Sequence, residues 1–366
     1  MAFRRLLSFN HVGNNFCRKY CQGVASRDPS LYFFSSRVQE LLFQLNDRQH
    51  DLVFKPRKLG QKLEAPQYVF MTDEDLDKER RRIEQRLREK LQVPPVLGPR
   101  KPIERVLAKD PRLEGLHDSK LLCIDISPDL SDRKRMITAR EPDGTLRTAN
   151  WHERGRINQI FLPVDGRTVT MPKMFEEPHL TECLDREEYV SVLDRACVQF
   201  EPDDPDYIRV TSATYDHVDA ARLYERLQST RHFGALAFYL AWHRRIDNLL
   251  LYFIQLEKLD QAVKLIHLYR LLRSAEPISD QTPPTRQESS QSDGFSSSSE
   301  SGSESESSSS DSDSDSEGVQ LDIIRDYIEN ASVKRPVLEL ALQNFQHLSA
   351  ERRRVEREQR RADGRQ

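Results

Sequence analysis

The sequence predicts an α+β protein that is predominantly α-helical, with a small antiparallel β module at about residues 120–171 and a C-terminal layer of stacked helices. Three observations carry that prediction. The densest apolar material, Leu236-Ala-Phe-Tyr-Leu-Ala-Trp242 and Leu249-Leu-Leu-Tyr-Phe-Ile254, falls on successive helix-like segments with short joints. Glu141-Pro-Asp-Gly144 separates two short β-prone runs, with proline to preset the entry and glycine to tolerate positive φ. A long charged stretch, Asp73 to Gln92, carries only Leu76, Ile83, Leu87 and Leu91 on its apolar stripe, the pattern of a helix touching one neighbour.

In chain order, residues 1–27 hold five basic residues and no acid. Basic and polar residues interrupt their apolar stretches, the composition of a mitochondrial transit peptide and not of a secretory signal. Residues 28–119 read as an extended region. It opens with a short amphipathic helix, Arg37 to Leu45, and continues through Pro56 and Pro66. The charged helix follows, with Thr72 as its cap and Asp73, Glu74 and Asp75 in its first turn, where the helix dipole favours acids. Pro94, Pro95, Pro99 and Pro102 end that helix and form a stiff linker.

Residues 120–178 read as the α+β module. Leu121 to Ser127 is a strand, Met136–Arg140 and Thr145–Thr148 form a hairpin, and Arg167 to Met171 is a further strand. Asn150 caps the intervening helix and Glu153 completes a capping box. Residues 179–276 form a helical domain. One helix spans Leu180 to Phe200, Pro202 and Pro205 make an acidic turn, and Tyr207 to Val210 is extended. Helices at 218–228, 234–245, 249–256 and 260–273 follow.

Residues 277–318 are serine-rich, and 287–318 hold nine acids and no base. Such a segment has nothing with which to build a core. It reads as a solvated spacer, and its serines before acids are also a setting acidophilic kinases use. Helices resume within 319–350, at Val319–Asn330 and Pro336–Ser349, and residues 351–366 form a basic tail with seven arginines against four acids.

Composition narrows the function classes. Hydrophobic residues are 37% of the 366 and mean hydropathy is -0.71, low for a self-sufficient enzyme and consistent with a chain that completes its core against partners. The net charge of -3 conceals a basic leader, an acidic insert and a remainder of about +1, so nucleic-acid contact must come from local patches. No apolar run approaches the ~20 residues of a membrane span. The five cysteines match no zinc spacing; Cys123, Cys183 and Cys197 read as small packed thiols. No nucleophile stands beside a base, no glycine loop is built for phosphate, and no cofactor, metal or small-molecule substrate is implied. The acids of Glu201-Pro-Asp-Asp204 lack the organisation of a cation site.

The candidate functional residues are arginines. Arg80, Arg81, Arg82, Arg86 and Arg88, with Lys90, lie on the wet face of the charged helix; Arg147 and Arg156 lie in the α+β module; Arg352, Arg353 and Arg354 lie in the tail. The arginine fork suits phosphate oxygens, which makes these candidates for RNA contact. Against this stand the interspersed acids Glu79, Glu84 and Glu89, which make local pairs worth ~0.2–0.5 kcal/mol each. Arg140 and Arg154 sit next to acids and read as turn-fixing.

An ordered series of short words adds a resemblance: Pro94-Pro-Val-Leu97, Ile103 with Val106-Leu-Ala108, Leu113-Glu-Gly115, Asp125-Ile-Ser127, Arg140 through Arg147, Trp151 with Glu153-Arg154, Phe200-Glu-Pro-Asp203, Tyr207-Ile208 and Ser229-Thr-Arg231. Together they resemble the mitochondria-specific small-subunit ribosomal protein family numbered twenty-two, over roughly residues 38–275. The resemblance implies a non-catalytic, structural component of the mitochondrial small ribosomal subunit in the matrix. Its implied partners are neighbouring small-subunit proteins and ribosomal RNA. Two other readings stay beside it: a mitochondrial RNA-binding or ribosome-assembly factor that associates transiently, and an enzyme whose site is assembled from distant residues.

Overall fold

The computed structural model describes residues 28–54, 68–131, 133–273 and 312–363. The expected leader with Cys17 and Cys21, the segment holding Pro56 and Pro66, most of the serine-rich insert and the last three residues of the tail lie outside the described residues. The fold is α+β and mostly helical, with one four-stranded antiparallel sheet. Two compact units divide it: Pro94–Leu227 form one, and the chain before and after that span forms the other.

In the Pro94–Leu227 unit, β1 (Val106–Lys109), β2 (Leu121–Ile124), β3 (Ile137–Arg140) and β4 (Thr145–Thr148) pair antiparallel in the order β1-β4-β3-β2. The β3–β4 hairpin closes where the sequence places it. Gly144 N–H donates to Glu141 O, and Thr145 N–H donates to the Asp143 carboxylate. Gly144 has φ +77°, and a Cβ there would collide with the Asp110 carbonyl, so both conformation and space demand glycine. The sheet takes β1 from upstream of the expected module, and Arg167–Met171 forms no strand. Arg167 is instead drawn to Glu201 at 2.9 Å, while the Gln199 side chain bonds the Thr168 backbone.

Helix α5 (Trp151–Phe161) covers one face of the sheet, where Ile137, Ala149 and Ile157 form a small core with Ile124 against it. Its start has the expected capping box: Asn150 accepts from Glu153 N–H, and Glu153 accepts from Asn150 N–H. Cys123, expected to be packed, is exposed on the edge strand β2, whereas Cys183 is buried.

The helical part of this unit differs from the sequence reading in three places. The single helix expected over Leu180–Phe200 is two, α6 (His179–Asp185) and α7 (Tyr189–Gln199). Glu187 between them is left-handed at φ 59°, and Glu188 N–H and Glu187 N–H bond back to Cys183 O and Leu184 O, which closes the first helix in a Schellman turn. The extended Tyr207–Val210 is instead the start of α8 (Pro205–Ala221), capped by Asp204 with Pro205 in its first turn. A Pro at this position reads as a turn or as a helix start, and the buried Tyr207, Val210, Thr211 and Thr214 decide for the helix. The helix expected at 218–228 ends at Ala221 and gives way to a 3₁₀ turn at Tyr224–Arg226.

In the other unit, α1 (Ser30–Phe33), α2 (Ser36–Leu45), α3 (His50–Val53) and α4 (Asp73–Lys90) precede α9 (His232–Trp242), α10 (Asp247–Gln255), α11 (Leu259–Arg273), α12 (Ser312–Asn330) and α13 (Arg335–Asp363). The stacked layer is present. Helix α2 lies against α9 and α11, α10 against α11 and α13, and α11 against α12. Its centre is the two apolar runs: Phe233, Leu236, Phe238, Leu240, Leu249, Leu250, Phe253 and Ile254 are all buried, each such side chain contributing ~1.5–3 kcal/mol on burial. Phe33 meets Phe238 edge-on at 5.3 Å, tying the N-terminal helices to this core. The tail continues α13 as helix through Asp363.

Joints in this layer also turn without glycine. Arg244 and Glu257 are left-handed at φ 58° and 59°, each closing the preceding helix by paired bonds to its last turn. Such a conformation costs an L-residue ~1–2 kcal/mol relative to the right-handed one. Arg244→Gly is therefore expected to raise the unfolding free energy by about 1 kcal/mol, read as an upward shift of the urea midpoint with an unchanged slope. Ser229, at φ 57°, is held from outside its own segment: Asn46 accepts from Ser229 N–H at 2.9 Å and donates to Thr230 O at 2.7 Å. That pair of bonds gives the Ser229-Thr-Arg231 word a structural purpose.

Candidate RNA- and protein-binding surface

The candidate arginines fall into three settings. Helix α4 carries five of them. Thr72 caps it by accepting from Asp75 N–H, and acids fill its first turn. Only its last turns are anchored: Leu87 and Leu91 join Val53 in a small core, with Phe43 and Phe54 against it. The rest stands in solvent, so its arginines are presented on a rigid rod and not buried by the fold.

The charges on that rod are only loosely tied. Arg80 reaches Asp77 at 3.5 Å, Arg82 reaches Glu79 at 3.0 Å, and Arg81 donates to the Asp77 carbonyl. These exposed pairs are worth a few tenths of a kcal/mol and are screened by salt, so phosphate oxygens compete with them easily. Arg86 has no ion partner among the described residues. Arg88 is the most engaged: it lies over the Phe43 ring at 4.6 Å and bonds Glu40 at 3.3 Å. Gln44, and then Arg88, hold the Glu40 carboxyl below its ordinary range.

Beside the anchored end, Arg48, His50, Arg80, Ile83, Glu84 and Leu87 line an open groove of about 630 Å³. Sequence reasoning does not single out Arg48 and His50. Their only local signal is Arg48-Gln-His50 between two helices, and it takes the fold to set them opposite Arg80.

The β module presents a different case. Arg147, a candidate for RNA, is buried at 8% exposure. Its guanidinium meets Glu153 at 2.8 Å, Glu141 at 2.6 Å and Glu104 at 3.1 Å. Lys120 closes the cluster on Glu153 at 2.7 Å and Glu141 at 3.2 Å. The bond to Glu153 raises the Arg147 pKa, and in return Arg147 brings the Glu153 carboxyl down to about 2. A phosphate would have to displace three carboxylates from a desolvated fork, so Arg147 serves the fold. Arg154 serves it too, donating to the carbonyls of Arg133 and Arg135. Arg156 is exposed and has no ion partner among the described residues.

The tail arginines sit on α13. Arg352 bonds Glu257 at 2.6 Å, Arg353 bonds Glu317, and Arg354 bonds Glu358 at 3.1 Å. The first two dock the helix against its own unit, and Arg354 is the most exposed of the three.

The acidic turn after α7 is likewise engaged. Arg100 meets Asp204 at 2.6 Å, Arg133 meets Asp203 at 3.3 Å, and Arg167 takes Glu201. Among the described residues, no group of three His, Cys, Asp or Glu is placed to hold a metal ion. A small hollow of about 230 Å³ beside Arg140 is lined by Leu113, Leu116, Leu121 and Pro142 together with His117, Ser119 and Glu141. Its carboxylate, Glu141, is already committed to Arg147 and Lys120. Among the described residues, no helix is long and apolar enough to cross a membrane.

Comparison with known proteins identifies the family. The family profile described as mitochondrial 28S ribosomal protein S22 matches residues 31–274. The chain is 38% identical to small ribosomal subunit protein mS22 of Bos taurus over 272 residues, covering 72% of this chain and 75% of that protein. It is 34% identical to small ribosomal subunit protein mS22 of Mus musculus over 316 residues, covering 86% and 79%. The matched span takes in α4, the sheet and the helical layer up to α11, and the chain therefore belongs to the mitochondrial 28S ribosomal protein S22 family.

Proposed function

We propose that the chain is a structural component of the mitochondrial small ribosomal subunit, supporting mitochondrial translation through contacts with neighbouring subunit proteins and with ribosomal RNA. The family is one of ribosomal proteins, with a structural and not a catalytic role, and its members work in the mitochondrial ribosome of the matrix. The observation that carries the reading is the family match along two thirds of the chain. The arginine surface of α4 supports its RNA side, because Arg80, Arg81, Arg82 and Arg86 stand on a solvated helix in loose or no ion pairs. Arg156 and Arg354 are the next candidates by exposure. Arg88, Arg352 and Arg353 are open to phosphate only by giving up their carboxylates.

Two measurements test this. Tagged wild-type protein is expected to co-sediment with small subunits after a high-salt wash; a free pool stripped by salt would make it a transient factor instead. For the RNA side, Arg80→Glu/Arg82→Glu/Arg86→Glu is expected to weaken binding to small-subunit ribosomal RNA. It should also flatten the log–log salt dependence, by roughly 0.7–0.9 for each phosphate that is no longer neutralised. An unchanged salt slope would move the RNA-binding residues off α4.

A further inference from the structure

The segment immediately before α4 is the most exposed apolar run of the described chain. Tyr68 is 95% exposed, Val69 66%, Met71 50%, and Phe70 is completely exposed. The four residues have no regular structure, and none of them donates a backbone hydrogen bond to another described residue. They sit at the far end of the α4 rod. From Asp73 to the anchored Leu87 the helix rises about 20 Å, and over that length every residue except Glu79 is exposed. Leu76, the next apolar residue, is also open, at 42%.

A consecutive Tyr-Val-Phe-Met run held out in water is costly and invites aggregation unless something covers it. Two of its side chains are of the aromatic kind that dominates interface energetics. Aromatic side chains also stack on unpaired bases, so RNA and protein are both conceivable occupants. The neighbouring charges decide between them. Asp73, Glu74 and Asp75 follow directly, with Asp77 one turn on. Chain reach puts Asp73 within about 10 Å of Phe70, about the distance over which charges act at 0.1 M salt. Asp75 is paired with Lys78 at 3.2 Å and Asp77 with Arg80 at 3.5 Å, which leaves Asp73 and Glu74 at the very tip to repel phosphate, whereas the arginines begin only at Arg80, about 10 Å further along the helix. The rod is thus polarised: apolar and acidic at its tip, basic along its stem.

We infer that Tyr68–Leu76 is a protein-docking tip. Tyr68, Phe70, Met71 and Leu76 enter an apolar cleft on a neighbouring small-subunit protein, and lysines or arginines at the rim of that cleft meet Asp73 and Glu74. This rests on the ribosomal reading above, and the two fail separately. Co-sedimentation of wild-type protein reads the ribosomal assignment; the contact made by position 70 reads the tip.

The test uses the full chain inside purified small subunits. Phe70→p-benzoylphenylalanine is expected, on irradiation, to give an RNase-resistant adduct with one subunit protein, mapping to apolar residues flanked by lysine or arginine. An adduct that RNase removes would assign the tip to RNA and overturn the inference, as would no adduct in subunits that contain the variant. Tyr68→Ala/Phe70→Ala is expected to lower incorporation about tenfold or more, the loss an aromatic hot-spot pair carries. The free double variant should melt like wild type, because these side chains belong to no core. Asp73→Lys/Glu74→Lys is expected to lower incorporation as well, and undiminished incorporation would overturn the basic-rimmed partner.

Discussion

Replacing Arg147 by methionine is expected to destabilise the Pro94–Leu227 unit by about 3 kcal/mol, because it leaves Glu153 and Glu141 facing each other with only Lys120 between them. The penalty comes from the abandoned carboxylates more than from the lost attraction. The same substitution should change the acid limb of stability. The Glu153 carboxyl is held at about 2, against an ordinary 4.5, chiefly by its bond to Arg147. A depressed carboxyl stabilises the fold above its unfolded value and stops doing so as pH falls through its folded value. The wild-type contribution is therefore complete above about pH 4.5 and disappears progressively down to about 2. Thermal melts from pH 6 to pH 2 are expected to show this loss in wild type and a shallower fall in Arg147→Met. Equal slopes in the two proteins would show that the cluster is not coupled as its geometry implies. Binding to ribosomal RNA should not change beyond what lower stability explains, since the guanidinium is buried.

Asp247→Ala is expected to release the C-terminal helices α12 and α13 from the helical layer. The carboxylate accepts from Tyr327 Oη at 2.7 Å, Ser332 Oγ at 3.1 Å, and the Val333 and Lys334 N–H groups at 2.9 Å each. One side chain at the start of α10 thereby holds the end of α12 and the entry to α13. Tyr327 is buried, with its pKa raised by that burial and by Asp247, and it stacks edge-on with Tyr269 of α11 at 5.4 Å. Removing the acceptor strands a buried hydroxyl and two backbone donors, a cost of about 3 kcal/mol. Hydrogen exchange is expected to rise across residues 319–350 and stay unchanged in the β3–β4 hairpin. Asp247→Asn, which keeps one acceptor oxygen, should fall between. Uniform acceleration throughout the chain would mean that α12 and α13 are not a separately docked element.

Both sites show why some features are legible in the sequence and others are not. The capping box at Asn150, the Glu141–Gly144 hairpin and the Thr72 cap are readable because each is completed within four residues. The division into α6 and α7 is hidden because Glu187 adopts the left-handed turn without glycine or proline to announce it. The start of α8 reads as extended because Asp204-Pro205 serves a turn and a helix equally well, and only burial of Tyr207 and Val210 selects the helix. The arginines of α4 are recognisable as a solvated charged face from their spacing alone. Arg147 is not separable from Arg156 in the sequence, since both are arginines in a small module.

Fold class, family and the charged helices are all legible along the chain, because periodicity, turn chemistry and ordered words are local or one-dimensional. Which charges are available depends on folding. It buried Arg147 under three carboxylates, paired Arg352 with Glu257 across 95 residues, set Arg48 and His50 opposite Arg80, and left Tyr68–Met71 uncovered. Desolvation and long-range pairing account for this. An arginine's readiness to meet phosphate depends on the acids that the folded chain brings to it, and these come from segments far away in sequence.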